Sequence, residues 1–203
     1  MTRVKICGIT SPEDAHMAVE AGADALGMIF WPGSRRVVDV DTAREITRSL
    51  PPLIATVGVF VDASPDDVRD VADAVGLSAV QLHGNEQAGD WARFPRPVLK
   101  ALTLDAYAAS PWRTARAAIL VDADDPVARG GTGRTVDWEA ARAIAATRPL
   151  VLAGGLTPAN IASAVEQVRP WGVDVSSGVE QSPGIKDADK VRAFVQAVRA
   201  AGR

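Results

Sequence analysis

Short apolar runs alternate with amphipathic segments almost from end to end of the chain. The runs cover residues 4–7, 25–30, 54–61, 79–82, 98–102, 118–121, 150–153 and 172–175. Each has strand length, and several are rich in Val and Ile. Most are near-continuous rather than alternating, as in parallel strands covered on both faces. Helix signals fill the gaps. Thr10-Ser11-Pro12-Glu13-Asp14 joins a capping hydroxyl, a first-turn proline and acidic residues at the positive helix end, and predicts a helix to about Ala21 that stops at Gly22. Asp41 opens a second helix, ended by Pro51 and Pro52. Ser64-Pro65-Asp66-Asp67 repeats the capping pattern, and Gly76 closes that helix. Further helices are predicted from Asn85-Glu86, over 137–146, over 159–168 after Thr157-Pro158, and over 186–201. Pro111 interrupts 105–116, where a short or irregular helix is expected.

Eight strand candidates, nearly all followed by a helical stretch, predict a (β/α)8 TIM barrel forming one domain over residues 1–203. An open doubly wound sheet is the alternative, but it needs fewer strands. The chain also lacks a GxGxxG turn after its first strand and any GxxxxGK[ST] element.

Composition narrows the function. Lys plus Arg is 22 and Asp plus Glu is 25, a formal charge of −3, with 47% hydrophobic residues. That balance excludes a basic nucleic-acid footprint and an acidic tail. No apolar run approaches the roughly 20 residues of a membrane helix. The opening MTRVKICG lacks the segments of a signal peptide, and Met1 suggests a complete chain. The one cysteine, Cys7, cannot form an internal disulfide, which points to the reducing cytoplasm. One cysteine and two histidines are too few for an ordinary zinc site, so no metal is expected.

In a barrel, the carboxyl ends of the strands build the active face. Polar residues gather there. Cys7 ends the first strand, Gln81 and His83 close the fourth, Lys100 lies in the fifth, and Asp122 ends the sixth. Cys7 is either an inert buried thiol or a reactive one near a helix start. Asp122, straight after Ile119-Leu120-Val121, is costly to bury unless paired or used, and its alternative is a loop cap. Asp124 and Asp125 fit a turn before Pro126. A thiol and a carboxyl on well-separated strands could move protons at opposite sides of one substrate. Gly154-Gly155 and Ser176-Ser177-Gly178 follow strands seven and eight, where barrels often bind phosphate through backbone N–H groups. Tight turns are the plainer reading. The glycine-rich 129–134 loop suits either closure over a ligand or simple surface. Arg35 and Arg36 offer a guanidinium fork for an anion or plain surface charge. His83 is either a ligand contact or a structural histidine. His16 and the five scattered tryptophans suit surface and rim packing.

Taken in order, KICGIT (5–10), Ser34-x-Arg36-x-Val38, QLHGNE (81–86), GGTG (130–133) with Asp137-Trp138, Gly154-Gly155-Leu156 with Pro158 and Asn160, DVSSGVE (174–180) and PGIKD (183–187) resemble the phosphoribosylanthranilate isomerase family of tryptophan biosynthesis. The likeness spans residues 5–187. It implies a (β/α)8 barrel and an Amadori rearrangement of N-(5-phospho-β-D-ribosyl)anthranilate to 1-(2-carboxyphenylamino)-1-deoxy-D-ribulose 5-phosphate. It implies Cys7 as general base, Asp122 as general acid and Arg36 as holder of the anthranilate carboxylate. The turns of Gly154, Gly155, Ser176, Ser177 and Gly178 correspond to the phosphate site, and His83 to a substrate contact. No cofactor is implied, because the substrate's own iminium nitrogen is the electron sink. The expected partner is a small phosphosugar, with no nucleic acid and no membrane, in a monomer or homodimer. Arg35 and Val136 depart from the family pattern, which favours proline and phenylalanine there. An epimerase-type phosphosugar barrel resembles families with metal-binding histidines or paired aspartates near several strand ends, whereas this chain has two histidines and no pair of them at suitable strand ends. A non-catalytic phosphate-binding barrel would not need both Cys7 and Asp122.

Overall fold

The structure, a computed structural model, describes residues 1–122 and 137–202. Eight parallel strands close into a barrel in chain order. They are β1 (Arg3–Cys7), β2 (Ala25–Ile29), β3 (Ala55–Phe60), β4 (Ala79–Leu82), β5 (Val98–Leu102), β6 (Ala118–Val121), β7 (Leu150–Leu152) and β8 (Gly172–Val175). β8 pairs back onto β1, with Lys5 opposite Asp174. All eight apolar runs are therefore strands, and this is a (β/α)8 TIM barrel.

The helices are α1 (Pro12–Glu20), α2 (Val40–Ser49), α3 (Pro65–Val75), α4 (Leu104–Ala109), α5 (Trp138–Ala145), α6 (Ile161–Val168) and α7 (Ala188–Ala201). Their ends follow capping chemistry. Ser11 accepts from the Asp14 N–H, Ser64 from that of Asp67, and Asp137 from those of Glu139 and Ala140. Gly76 closes α3 in the left-handed conformation at φ 80°. Pro111 splits the 105–116 stretch into α4 and a 3₁₀ turn, Pro111–Arg113.

Three sequence expectations need correction. No helix starts at Asn85-Glu86; residues 83–97 form turns, bends and irregular chain. Glu86 is instead drawn beneath its own loop on the outer side of the sheet, where its carboxylate meets the Lys100 Nζ at 2.9 Å and accepts from the Gly84 N–H. The sixth helix starts at Ile161 rather than Ala159, because the Asn160 amide oxygen turns back to the Thr157 N–H. Lys186 precedes α7: it lies in β10 (Ile185–Lys186), which pairs antiparallel with β9 (Glu180–Ser182) as a small hairpin beyond β8.

Side-chain alternation divides the core in two. Val4, Ile6, Leu26, Ile119 and Val173 face outward into the large cluster beneath the helices. Ala101, Leu120, Val151 and Ala153, with Leu99 against them, form a separate cluster inside the barrel. Lys5 and Cys7 alternate with Val4 and Ile6, so they face inward, as do Gln81 and Asp174. Among the described residues no helix is long and apolar enough to cross a membrane.

Candidate active site

The site grows from the end of β1. Cys7 is 6% exposed, and Gly8 turns the chain away at φ 75°. A Cβ on Gly8 would stand 2.6 Å from the Arg36 Cδ and 3.0 Å from the Ser176 Oγ. Only glycine fits there, and its bare backbone brings the β1 end, the segment after β2 and the turn after β8 to one point. Cys7, Arg36 and Ser176, from three separate sequence motifs, are thus neighbours. The Ser176 Oγ is buried and has no hydrogen-bond partner among the described residues.

Arg36 is held side-on by Glu180. Its Nε donates to Oε1 and its Nη2 to Oε2, each at 2.8 Å. Glu180 Oε1 also accepts from the Lys186 Nζ at 2.8 Å, and that same Nζ donates to the Cys7 carbonyl oxygen at 2.6 Å. Burial pushes the Glu180 carboxyl up, but the Arg36 hydrogen bonds and the Lys186 charge outweigh it and hold the group below the ordinary carboxylate range. Glu180 keeps Arg36 above its ordinary value. Burial draws Lys186 below its own.

Beneath this chain lies a second one. The Lys5 Nζ donates to the Gln81 Oε1 and the Asp174 Oδ1, each at 2.9 Å. Burial pushes the Cys7 thiol above its ordinary value, and the opposing pull of the nearby Lys5 ammonium does not fully cancel it.

Across the barrel mouth, His83 follows β4 and Asp122 follows β6. The Asp122 N–H is pinned to the Leu102 carbonyl at 3.0 Å. The His83 Nε2 lies 3.7 Å from the Asp122 Oδ2, so these two predicted residues share one patch. After β7, Gly154 and Gly155 adopt φ 83° and 62°, which side chains disfavour. The 3₁₀ turn Ser177–Val179 packs on this loop, since a Cβ on Gly178 would collide with the Leu156 carbonyl. The two glycine turns therefore abut. Among the described residues no group of His, Cys, Asp and Glu is placed to hold a metal ion. Asp124, Asp125, the 129–134 loop and Val136 lie outside the described residues.

The sequence reading gave no role to Glu180, Lys186 or Lys5. Each is a charge at or near a strand, and Lys5 and Asp174 sit inside otherwise apolar runs. That signal was present, but apart from the Glu180–Lys186 pair, six residues apart, the partners stand 76 to 179 residues away in the chain.

The sequence model of a family described as N-(5'phosphoribosyl)anthranilate (PRA) isomerase matches residues 4–197. A Pseudomonas aeruginosa protein named N-(5'-phosphoribosyl)anthranilate isomerase is 50% identical over 205 residues, covering 99% of this chain and 97% of that one. The crystal structure of phosphoribosyl anthranilate isomerase from Thermotoga maritima superposes with a TM-score of 0.88 at 41% identity, covering 98% of this chain and all of that one. A structure of the isomerase in complex with reduced 1-(o-carboxyphenylamino)-1-deoxyribulose 5-phosphate matches at TM-score 0.83 and 40% identity, again over 98% and 100% of the two chains.

Proposed function

The chain belongs to the N-(5'-phosphoribosyl)anthranilate isomerase family, and from that premise we propose how its residues divide the work. It is an isomerase of tryptophan biosynthesis that converts N-(5-phospho-β-D-ribosyl)anthranilate to 1-(2-carboxyphenylamino)-1-deoxy-D-ribulose 5-phosphate. The observation that carries the assignment of roles is the meeting of Cys7, Arg36 and Ser176 around Gly8, opposite the Asp122–His83 patch.

Asp122, protonated, gives its proton to the furanose ring oxygen as the C1–O bond breaks, and the substrate nitrogen becomes an iminium. The Cys7 thiolate then takes the proton from C2. The electron pair moves into the C1–C2 bond and neutralises the nitrogen, giving an enolamine. Its 2-hydroxyl loses a proton while C1 gains one, which leaves the ketone. Ring opening and enolisation thus need one acid and one base, and no organic cofactor. Arg36 engages Glu180 with Nε and Nη2, so its Nη1–Nη2 edge is the one left for the anthranilate carboxylate. Backbone N–H groups of Gly154, Gly155, Ser177 and Gly178, with the Ser176 hydroxyl, grip the phosphate. That grip supplies binding energy remote from the reacting carbon. His83 contacts the substrate beside Asp122.

The whole of residues 1–203 acts as one barrel domain in the cytoplasm, as a monomer or homodimer. Leu53, fully exposed at φ 77°, and Trp171, 57% exposed, line a cavity of about 490 Å³ at the amino end of the barrel, which favours the homodimer. Sedimentation of the wild type against Leu53→Asp decides between the two states.

The activity is tested with substrate made in situ from anthranilate and phosphoribosyl pyrophosphate by a phosphoribosyltransferase. Fluorescence decay faster than spontaneous breakdown, with a product accepted by the next enzyme, is the expected result. Cys7→Ala and Asp122→Asn should each lower turnover by at least roughly 100-fold. A variant that keeps near-normal turnover removes its residue from the chemistry.

A further inference from the structure

Lys5 is a buried charge for which the roles above have no use. It lies on the Cys7 face of β1, two residues back along the strand. Gln81 and Asp174 fix its Nζ at 2.9 Å each, and all three side chains are at most 9% exposed. An ammonium has three hydrogens, and two are taken. Cys7 is the next group on that face of β1, near enough for the ammonium and the thiol to act on each other's charge. Gly27 makes that contact possible. A Cβ there would stand 2.8 Å from the Cys7 Sγ and 3.0 Å from the Lys5 Nζ, so any side chain at position 27 would push the two apart.

We propose that Lys5 is a positioning residue for the isomerisation: its ammonium, pinned by Gln81 and Asp174, is the counter-ion that keeps Cys7 available as a buried thiolate. The proposal rests on the reading of Cys7 as the base. The other charges around the thiol do not replace Lys5. Asp174, from β8, works against the thiolate and helps only by holding the ammonium. Lys186, from β10, favours the thiolate less than Lys5 does, and it shares the single Glu180 carboxylate of β9 with Arg36, after β2. The one net positive charge of that trio is spread over three side chains, whereas the Lys5 ammonium lies on the thiol's own face of β1. Lys5 itself stays charged: burial alone would lower its pKa, but Asp174 and Cys7 together raise it.

The chain has a single cysteine, so alkylation by iodoacetamide across a pH series follows the Cys7 thiolate alone. Lys5→Met should move that profile upward by at least about one pH unit, making alkylation about tenfold slower at any pH below it. Turnover should fall with it while KM changes little, and Lys5→Arg should restore much of both. Lys5→Met also strands the Asp174 carboxylate. The paired variant Lys5→Met/Asp174→Asn removes that burden and should still show an upward, smaller shift. A readout on the unmutated protein covers the case in which neither variant folds. The chain has four lysines, and the Lys5 ¹⁵Nζ resonance should move as Cys7 titrates and lose that step in Cys7→Ala. An unshifted alkylation profile in a folded Lys5 variant, or a Lys5 resonance indifferent to Cys7, overturns the proposal. Full turnover by Cys7→Ala overturns the base assignment instead and leaves the alkylation result to stand by itself.

Discussion

Two lysines in this barrel look alike until their direction is considered. Lys5 in β1 and Lys100 in β5 each interrupt an apolar strand, each are buried, and each meet a carboxylate at 2.9 Å. Lys5 points into the barrel beside Cys7. Lys100 points the other way, because its neighbours Leu99 and Ala101 are the ones packed inside. Outside, the Lys100 Nζ donates to the Gly84 carbonyl at 2.6 Å and to Glu86. The Glu86 carboxylate in turn accepts from the backbone N–H groups of Gly84 and Asp62, and the Glu86 carbonyl accepts from the Trp112 indole. This cluster fixes the loop that starts at His83. One lysine serves the reacting side of the sheet and the other serves its scaffold. A charge in a strand carries no functional meaning until its face is known.

The largest effect should come from Lys100→Met. It leaves the Glu86 side chain, itself 3% exposed, without its cation, and stranding one member of a buried pair costs about 3–5 kcal/mol. Chemical denaturation should show that loss, while turnover per folded molecule stays close to wild type. A turnover loss as large as that of Lys5→Met would erase the distinction between the two lysines. Removing both partners sharpens it further. Lys100→Met/Glu86→Leu should regain much of the lost stability, since a buried pair is often replaceable by apolar groups. The corresponding change at Lys5 and Asp174 should also recover stability but leave turnover low.

Glu180 comes next. Glu180→Gln removes the charge shared by Arg36 and Lys186, and a hydrogen bond to a charged group is worth about 1.5–3 kcal/mol. Its main kinetic effect should be a higher KM, because Arg36 loses its fixed orientation. The pH dependence has a definite sign. A carboxyl held below its ordinary value stabilises the fold at pH above the unfolded value of about 4.3. That contribution fades as pH falls through the folded value. The stability gap between wild type and Glu180→Gln should therefore shrink in acid. A gap that is constant with pH would mean that the carboxylate charge is not what holds the hairpin and Arg36 together.

These contrasts also mark how far the chain can be read unfolded. Eight strands were legible because each is a near-continuous apolar run, and most helix starts because Ser11, Ser64 and Asp137 cap through local hydrogen bonds. Cys7, Arg36, His83 and Asp122 were legible as polar groups at strand ends and by family likeness. What failed, apart from the start of α6, were features set by partners on other elements. Glu86 looks like a helix opener locally, but Lys100 recruits it beneath the loop. Lys186 looks like a helix start, but the Cys7 carbonyl and Glu180 hold it in a hairpin. The Lys5–Asp174 pair depends on closure of the barrel, which sets the first strand against the last.

The smallest effect should come from Arg69→Ala. Arg69 and Asp66 approach to 2.8 Å on α3, slightly closer than either buried lysine pair. Distance would rank this pair highest. Environment ranks it lowest: the two side chains are 44% and 82% exposed, so water screens the attraction and ordering both side chains costs entropy. At i,i+3 on a helix the expected loss is about 0.3–0.5 kcal/mol, shrinking further in salt, with turnover unchanged. Denaturation midpoints at low and high salt measure it. A loss near that of Lys100→Met would show that ion-pair length, not burial and direction, governs these charges, and the contrast between Lys5 and Lys100 would lose its physical basis.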